Sequence, residues 1–287
     1  MKRILVIPFV AILLSAGIKL PKSLRETYKF IPAGVVVLNQ VTASIQSYYI
    51  QTSEVTNAEY NAFLAYLKSN NRTEDYEKAR VRNENWLSEF DKGFHKPLAE
   101  NYHVHQAYAN FPVVNVTHEG AMLYAAYTTQ VVNEQLAKLG MKVIVRLPYH
   151  AELIRAGVGD DLQRTYSWNG PYMRNSRGDY LCNFTHLPES GLTRDENGHY
   201  IIAKDYKSTV NSEHQHDVLA PSKSYWPSEF GVYNLNGNAA EMTMKPGEAV
   251  GGSWRDLGYD VRLQSVSTYE GSSCRVGFRT VFTIAED

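Results

Sequence analysis

The stretch that decides the fold of this chain lies near its C-terminus and reads Gly231-Val232-Tyr233-Asn234-Leu235-Asn236-Gly237-Asn238-Ala239-Ala240-Glu241-Met242. Oxygen atoms can converge here from the side chains of Asn234 and Glu241 and from the carbonyls of Gly237 and Ala239, because glycine lets the backbone bend around an ion. Calcium takes six to eight oxygen ligands of these kinds. The stretch therefore predicts a calcium loop, with a hydrogen-bonded turn without metal as the alternative.

Composition sets the outer limits on function. The chain has 287 residues, 44% of them hydrophobic, and a net charge of -1, so it is long enough to bury a core and we expect one domain. Its basic residues are scattered, which argues against nucleic-acid binding. The two cysteines, Cys182 and Cys274, are compatible either with a disulfide in an exported protein or with small buried side chains.

The N-terminus has the parts of a secretory signal. Lys2 and Arg3 precede an apolar run from Ile4 to about Ile18, which has small residues at positions 15–17, near its end. We expect a signal peptide over residues 1–17, cleaved after Gly17, with an uncleaved anchor as the alternative. The run is short of the roughly 20 residues that a membrane-spanning helix needs.

Several local patterns predict secondary structure. Residues 30–38 are typical of a strand entered through a turn at Pro32 and Gly34, and residues 45–50 are typical of a second strand, which together predict a hairpin. Thr56 and Glu59 have the spacing of a capping box, which predicts a helix start. Thr117 is a suitable N-cap for a second helix, and residues 143–157 predict a strand followed by a helix that stops at Gly157.

Between the first two helices, residues 68–110 are polar and largely aperiodic, which predicts an insertion or a long surface loop. The segment ends with His103 and His105. These two could share a metal if they lay on a strand, but a solvated loop or packed turn is the expected reading.

Three motifs together carry a family resemblance: the opening stretch, then Gly251-Gly252-Ser253-Trp254, then Gly277-Phe278-Arg279. They resemble the formylglycine-generating, sulfatase-modifying factor family, whose pattern is roughly G-L-Y-D-M-x-G-N-V-W-E-W, R-G-G-S-W and G-F-R. Residues 54–60 resemble the family's E-V-T-N-x-E-Y signature. The resemblance implies one α/β (α+β) domain over residues 27–285, with an irregular, loop-rich, C-type-lectin-like fold of short strands and two main helices.

The resemblance also implies metal sites. Asn234, Gly237, Ala239 and Glu241 match the family's calcium ligands one for one, so structural calcium is the expected cofactor. Asn183 and Phe184 would contribute to a weaker second calcium site. The other half of that site falls at residues 213–221, where His214 and His216 stand in place of the family's usual acidic motif.

The family's catalytic cysteines are missing. Formylglycine-generating enzymes bind copper(I) through two thiolates beyond the G-G-S-aromatic motif, and Asp256 and Val261 occupy those places here. We therefore expect no copper and no catalytic residues, and we expect that the protein is not an enzyme. Ser253, Trp254, Arg255 and Asp256 are candidates for a surviving ligand cleft, against a purely structural turn.

The leading functional hypothesis is an exported, non-catalytic binding or scaffolding protein of a bacterial cell envelope, in the periplasm or associated with the outer membrane. Residues 105–121 are similar to gliding-motility and type IX secretion lipoproteins of Bacteroidetes, although no lipid-acceptor cysteine follows the apolar run. Other envelope proteins are the expected partners, with membrane contact only through an uncleaved N-terminus. The alternative is a metal-dependent oxidase of the sulfatase-maturation type.

Overall fold

A computed structural model describes residues 20–38, 40–89, 95–185, 192–196, 200–202 and 218–285. The predicted signal peptide over residues 1–17 lies outside the described residues. Within the described ranges, no helix combines the length and the apolar character needed to cross a bilayer.

Four short strands follow the first helix, and they pair in two nested hairpins. Helix α1 spans Lys22–Thr27; the strands are β1 (Tyr28–Ile31), β2 (Gly34–Leu38), β3 (Val41–Ile45) and β4 (Tyr48–Gln51). β2 pairs with β3 and β1 pairs with β4, all antiparallel. The strand expected after the turn at Pro32 and Gly34 is β2. The residues before that turn form a strand of their own, β1, because Pro32 has no N–H to donate to a ladder.

Two four-stranded sheets organise the rest of the described chain. The remaining strands are β5 (Val143–Arg146), β6 (Leu192–Arg194), β7 (Tyr200–Ile202), β8 (Ala240–Met242), β9 (Glu248–Val250), β10 (Val266–Thr268), β11 (Val276–Gly277) and β12 (Val281–Ile284). The first sheet has the order β1-β4-β12-β5 and the second the order β10-β9-β8-β11, while β6 and β7 form a separate pair. The first sheet therefore joins the two ends of the domain.

Two of the helices, α2 and α6, begin where their capping residues predict. They are α2 (Asn57–Ser69), α3 (Thr73–Ala79), α4 (Asn85–Glu89), α5 (His95–Asn101), α6 (His118–Leu136) and α7 (His150–Val158). Thr56 and Glu59 form the predicted capping box, and the Thr117 hydroxyl accepts a hydrogen bond from Gly120 N at 3.0 Å. α2 and α6 are the longest, at 13 and 19 residues, which confirms the two main helices. α7 continues through Gly157 and is capped by Gly159 at φ 63°.

The segment predicted as an insertion or long surface loop is helical and packs into the domain. Residues 68–110 contain α3, α4, α5 and a 3₁₀ turn at Gln106–Tyr108, and they bury Trp86 and Tyr102 completely. The surface-loop reading is wrong, because these aromatic side chains supply a core that the polar pattern around them conceals.

An aromatic cluster packs α2 and α6 against the C-terminal motif. Tyr60, Phe63, Tyr124 and Phe278 are buried, and their ring centroids lie 5.4 to 6.0 Å apart, mostly edge to face. Such ring pairs contribute about 0.5–1.5 kcal/mol each beyond the burial of their area. The mixed α+β class with short strands is confirmed.

Candidate functional site

The predicted calcium loop is a buried, tightly wound segment in front of strand β8. Asn234, Gly237 and Asn238 all have positive φ, at 52°, 68° and 62°. A Cβ on Gly237 would lie 2.1 Å from the carbonyl oxygen of Asn183. Only glycine fits at this position, because any side chain would overlap another backbone segment.

Glu241, at the end of the loop, forms a buried ion pair with Arg279. Nε of Arg279 lies 2.8 and 2.7 Å from the two carboxylate oxygens, and the side chains are 3% and 0% exposed. Arg279 also donates from Nη2 to the Tyr233 carbonyl at 2.7 Å. The arginine of the closing motif is therefore part of the loop itself.

A second buried carboxylate, Glu54, lies beside this pair. Its oxygens accept hydrogen bonds from the side-chain amides of Asn238 at 2.8 Å and Asn234 at 3.2 Å. Burial raises the pKa of Glu54 to about 8, against the lowering effect of Arg279. Glu54 and Glu241 together leave one guanidinium facing two carboxyl groups, so the cluster favours either a proton or an added cation.

Sequence reasoning found Asn234 and Glu241 but assigned no site role to Glu54 or Arg279. Both residues belong to other family motifs and lie far from the loop in sequence. A charged residue inside each motif was the available signal, since charges are rarely buried without a partner.

The oxygen atoms of the loop are of the chemical types that bind calcium. Among the described residues, no hydrogen-bond donor reaches Oδ1 of Asn234 or the carbonyls of Gly237 and Ala239. A carboxylate has about four lone-pair sites, so Glu241 could share its oxygens between Arg279 and an ion. These are oxygen ligands of the kinds that calcium prefers.

The residues predicted for a second calcium site adjoin the first. Asn183 is 1% exposed, its carbonyl accepts from Asn238 N at 2.8 Å, and its Oδ1 is buried without a hydrogen-bond partner. Phe184 packs edge to face on Tyr180 at 5.4 Å. The histidine pair at 214 and 216, with the rest of that half-site through residue 217, lies outside the described residues.

The four candidate cleft residues form a turn rather than an open rim. Ser253 is fully buried and Trp254 is 4% exposed. The Ser253 N and Oγ donate to Oδ2 of Asp256 at 2.7 and 2.6 Å. Asp256 therefore closes the turn, and the buried half of the motif faces the core.

Helix α4 covers this turn through one carboxylate. Glu89 accepts from Nε of Arg255 at 3.1 Å and from Nη2 of Arg275 at 2.7 Å. Next to it, the rings of Trp86 and Trp254 lie 6.3 Å apart. The segment over residues 85–89 thus packs on the side chains that sequence analysis proposed as a ligand cleft.

The thiol groups are separated and buried. Cys182 and Cys274 are free and 2% exposed, and burial raises the pKa of both thiols. The Cys274 thiol donates to Glu89 at 3.4 Å. Neither residue has the electropositive, accessible surroundings of a reactive thiolate.

The histidine pair at 103 and 105 lies in a turn, not on a strand. His103 is buried, its Nδ1 lies 2.9 Å from Oδ1 of Asn57, and burial lowers its pKa to about 3. In the described part of the chain, no group of three or more His, Cys, Asp or Glu side chains is placed to hold a metal ion.

Comparison with known proteins identifies the fold. The family described as the sulfatase-modifying factor enzyme 1-like domain matches residues 26–284. Similar solved structures include PvdO from Pseudomonas aeruginosa (15% identity, 89% of this chain and 93% of that chain covered, TM-score 0.54). Another similar structure is CarF, with 17% identity, 90% of this chain and 98% of that chain covered, and a TM-score of 0.53.

A third similar structure is variable protein 1 of Treponema denticola, at 16% identity, with 88% of this chain and 94% of that chain covered and a TM-score of 0.51. No curated protein sequence matches the chain. At these identities the solved structures establish the fold alone.

Proposed function

The chain belongs to the family of sulfatase-modifying factor enzyme 1-like domains, and we propose that it is a non-catalytic member, a binding or scaffolding protein. One observation carries the proposal. Asp256 and Val261 occupy the places where the catalytic relatives that it resembles hold their two copper-binding thiolates.

The surroundings of these two residues support the proposal. The Asp256 carboxylate is bound by Ser253 N and Oγ, and Val261 is fully buried among Tyr166, Cys182 and neighbouring aromatic residues. Copper(I) prefers soft sulfur ligands. A hydrogen-bonded carboxylate and a buried aliphatic side chain supply none.

The cover formed by α4 supports it as well. Glu89 binds both Arg255 and Arg275 and has only 10% of its side chain exposed. A substrate peptide approaching the Ser253 turn would have to displace these charge-assisted hydrogen bonds. The turn therefore serves packing rather than access.

We further propose that calcium has a structural role. Asn234, Gly237, Ala239 and Glu241 would hold the ion, and the ion would offset the excess negative charge of the Glu54 and Glu241 cluster. Its contribution would be to fix the loop before β8 and hence the register of the second sheet. No chemical step depends on it.

The location and partners are proposed from sequence. The basic and apolar N-terminus supports export to the cell envelope, and the similarity of residues 105–121 to gliding-motility and type IX secretion lipoproteins supports a place beside that machinery. Other envelope proteins would then be the partners. A partner pull-down from envelope fractions tests this part separately.

The experiment that tests the function is metal analysis. Protein purified without chelator is measured by mass spectrometry, before and after loading with copper(I). About one equivalent of calcium with no tight copper or iron supports the proposal. Stoichiometric copper or iron would overturn it in favour of the metal-dependent oxidase.

A matched pair of variants tests the calcium ligands. Asn234→Ser shortens one proposed ligand, and Asn169→Ser makes the same change at an exposed asparagine outside the loop. We expect calcium to be lost from the first variant and retained by the second, with circular dichroism confirming that both fold. Calcium retained equally by both would contradict the assigned ligands.

A further inference from the structure

A polar cleft of about 570 Å³ lies where β4 leads into α2. It is lined by the segment before α2 and by residues 221–223. Its side chains include Gln51, Thr52, Ser53, Glu59, Ser222 and Lys223. Its volume lies within the range of small-molecule sites, about 300–1,000 Å³.

Two opposite charges face this cleft without neutralising each other. Glu59 accepts hydrogen bonds from Thr56 N at 2.8 Å, Thr56 Oγ1 at 2.9 Å and Gln51 Nε2 at 3.4 Å. Across the described ranges, neither Glu59 nor Lys223 forms an ion pair. An occupant that carries both a cation and an anion would complement both.

Three hydroxyl groups in the lining also have no hydrogen-bond partner among the described residues. Ser222 is 1% exposed, and its Oγ is buried with no hydrogen-bond partner. The hydroxyls of Thr52 and Ser53 have no partner among the residues that the structure describes. A buried polar group left unpaired costs about 1–3 kcal/mol, so the protein alone does not satisfy the polar groups of this lining.

The helix end contributes no anion site of its own. The first N–H groups of α2 are taken, since Asn57 N donates to the Phe111 carbonyl and Ala58 N to the Ala109 carbonyl. Lys223 is therefore the group available to an anion in this cleft. No aromatic residue is among those known to line it, so it lacks the stacking face on which sugar rings usually pack.

We propose that this cleft binds a short zwitterionic peptide of two or three residues. The terminal ammonium would lie at Oε1 of Glu59, the terminal carboxylate at Nζ of Lys223, and the peptide groups against the hydroxyls of Thr52, Ser53 and Ser222. A neutral ligand would make no ion pair with either group, and a simple anion would meet the Glu59 carboxylate. The proposal does not depend on whether the protein is catalytic.

Calorimetric titration with trialanine tests the proposal on the full chain. Glu59→Gln keeps the capping box, because glutamine also serves at that position, and Lys223→Met keeps the length of the side chain. We expect each substitution to weaken trialanine binding at least about tenfold. The controls Glu134→Gln and Lys138→Met, at exposed positions outside the cleft, should bind as the parent does.

A second ligand distinguishes recognition of the terminal charges from nonspecific binding. Trialanine with an acetylated N-terminus and an amidated C-terminus has the same backbone without the charges, and we expect no saturable binding of it up to about 10 mM. The proposal is overturned if trialanine itself gives no saturable heat in that range, or if the blocked peptide binds equally well. It is also overturned if the control variants lose as much affinity as the cleft variants, or if maltotriose displaces trialanine.

Discussion

Arg279 and Glu241 are 38 positions apart, yet their side chains form one buried unit, with Nε of the arginine within 2.8 Å of both carboxylate oxygens. The same arginine donates from Nη1 to the Gln51 carbonyl at 3.2 Å. The residue thus ties the loop before β8 to the end of β4. Two sequence motifs and the segment leading into α2 meet at this guanidinium.

Removing the guanidinium should be strongly destabilising. Arg279→Met leaves Glu241 and Glu54 buried without a cation, and breaking one partner of a buried pair costs about 3–5 kcal/mol. The free energy of unfolding from urea titration measures the loss. Arg80→Met, which breaks an exposed pair with Glu77, is the matched control, expected at about 0–1 kcal/mol. Equal losses in the two variants would contradict the role of Arg279.

The effect of the close contact at Gly237 on stability can be measured separately from the effect of its left-handed backbone conformation. Gly237→Ala brings a Cβ against the Asn183 carbonyl, whereas Gly271→Ala, at a nearly equal φ of 63°, meets nothing within 4 Å. Both variants place an alanine in a left-handed backbone conformation, which costs about 1–2 kcal/mol of stability. We expect Gly237→Ala to lose clearly more in urea titration, because it alone has the overlap. Equal losses of stability in the two variants would mean that the backbone at Asn183 moves away from residue 237 at little cost in free energy.

The cover over the Ser253 turn should loosen when its carboxylate is neutralised. Glu89→Gln replaces two charge-assisted contacts, to Arg255 and Arg275, with weaker ones. Hydrogen exchange of the backbone amides over residues 84–89 should rise, with about 1–2 kcal/mol lost from local stability. Glu84→Gln, at an exposed position of the same segment, is the control. An unchanged exchange pattern in Glu89→Gln would show that Trp86 holds the segment alone.

His103 predicts a pH dependence of stability. Burial lowers its pKa from its usual 6.5 to about 3, so between these values the unfolded chain binds a proton that the folded chain does not. Stability is therefore full above pH 6.5 and falls as the pH drops toward 3, by at most about 1.4 kcal/mol per pH unit.

The variant His103→Gln should remove this component. Urea titrations between pH 4 and pH 7 should give a flatter profile for it than for the parent protein. The exposed His105→Gln should keep the parent slope. A parent slope retained by His103→Gln would assign the acid sensitivity to the carboxylates instead.

Local rules predicted much of the secondary structure. Thr56 with Glu59 and Thr117 with Gly120 mark helix starts, because a capping side chain and the N–H that it satisfies are three residues apart. Such short-range geometry can be predicted from residue types and their spacing. The turn at Pro32 and Gly34, after which β2 begins, is a signal of the same local kind.

Burial of polar and aromatic residues could not be read in the same way. Residues 68–110 look polar and aperiodic, yet Trp86 and Tyr102 form a core there, because their partners Trp254 and Tyr108 lie elsewhere in the fold or across a turn. The Glu54 cluster was missed for the same reason.

By itself, the sequence determined the family, the mixed α+β class, the helix starts and the loss of the two thiol positions, since each depends on residue identity or on spacing within a few residues. Only the tertiary structure decided what surrounds those positions. It places Arg279 on Glu241, Glu89 over Arg255 and Arg275, and Glu59 with Lys223 around one cleft. These residues are 38 to 186 positions apart in the sequence, and only the packing of the chain fixes which side chains meet.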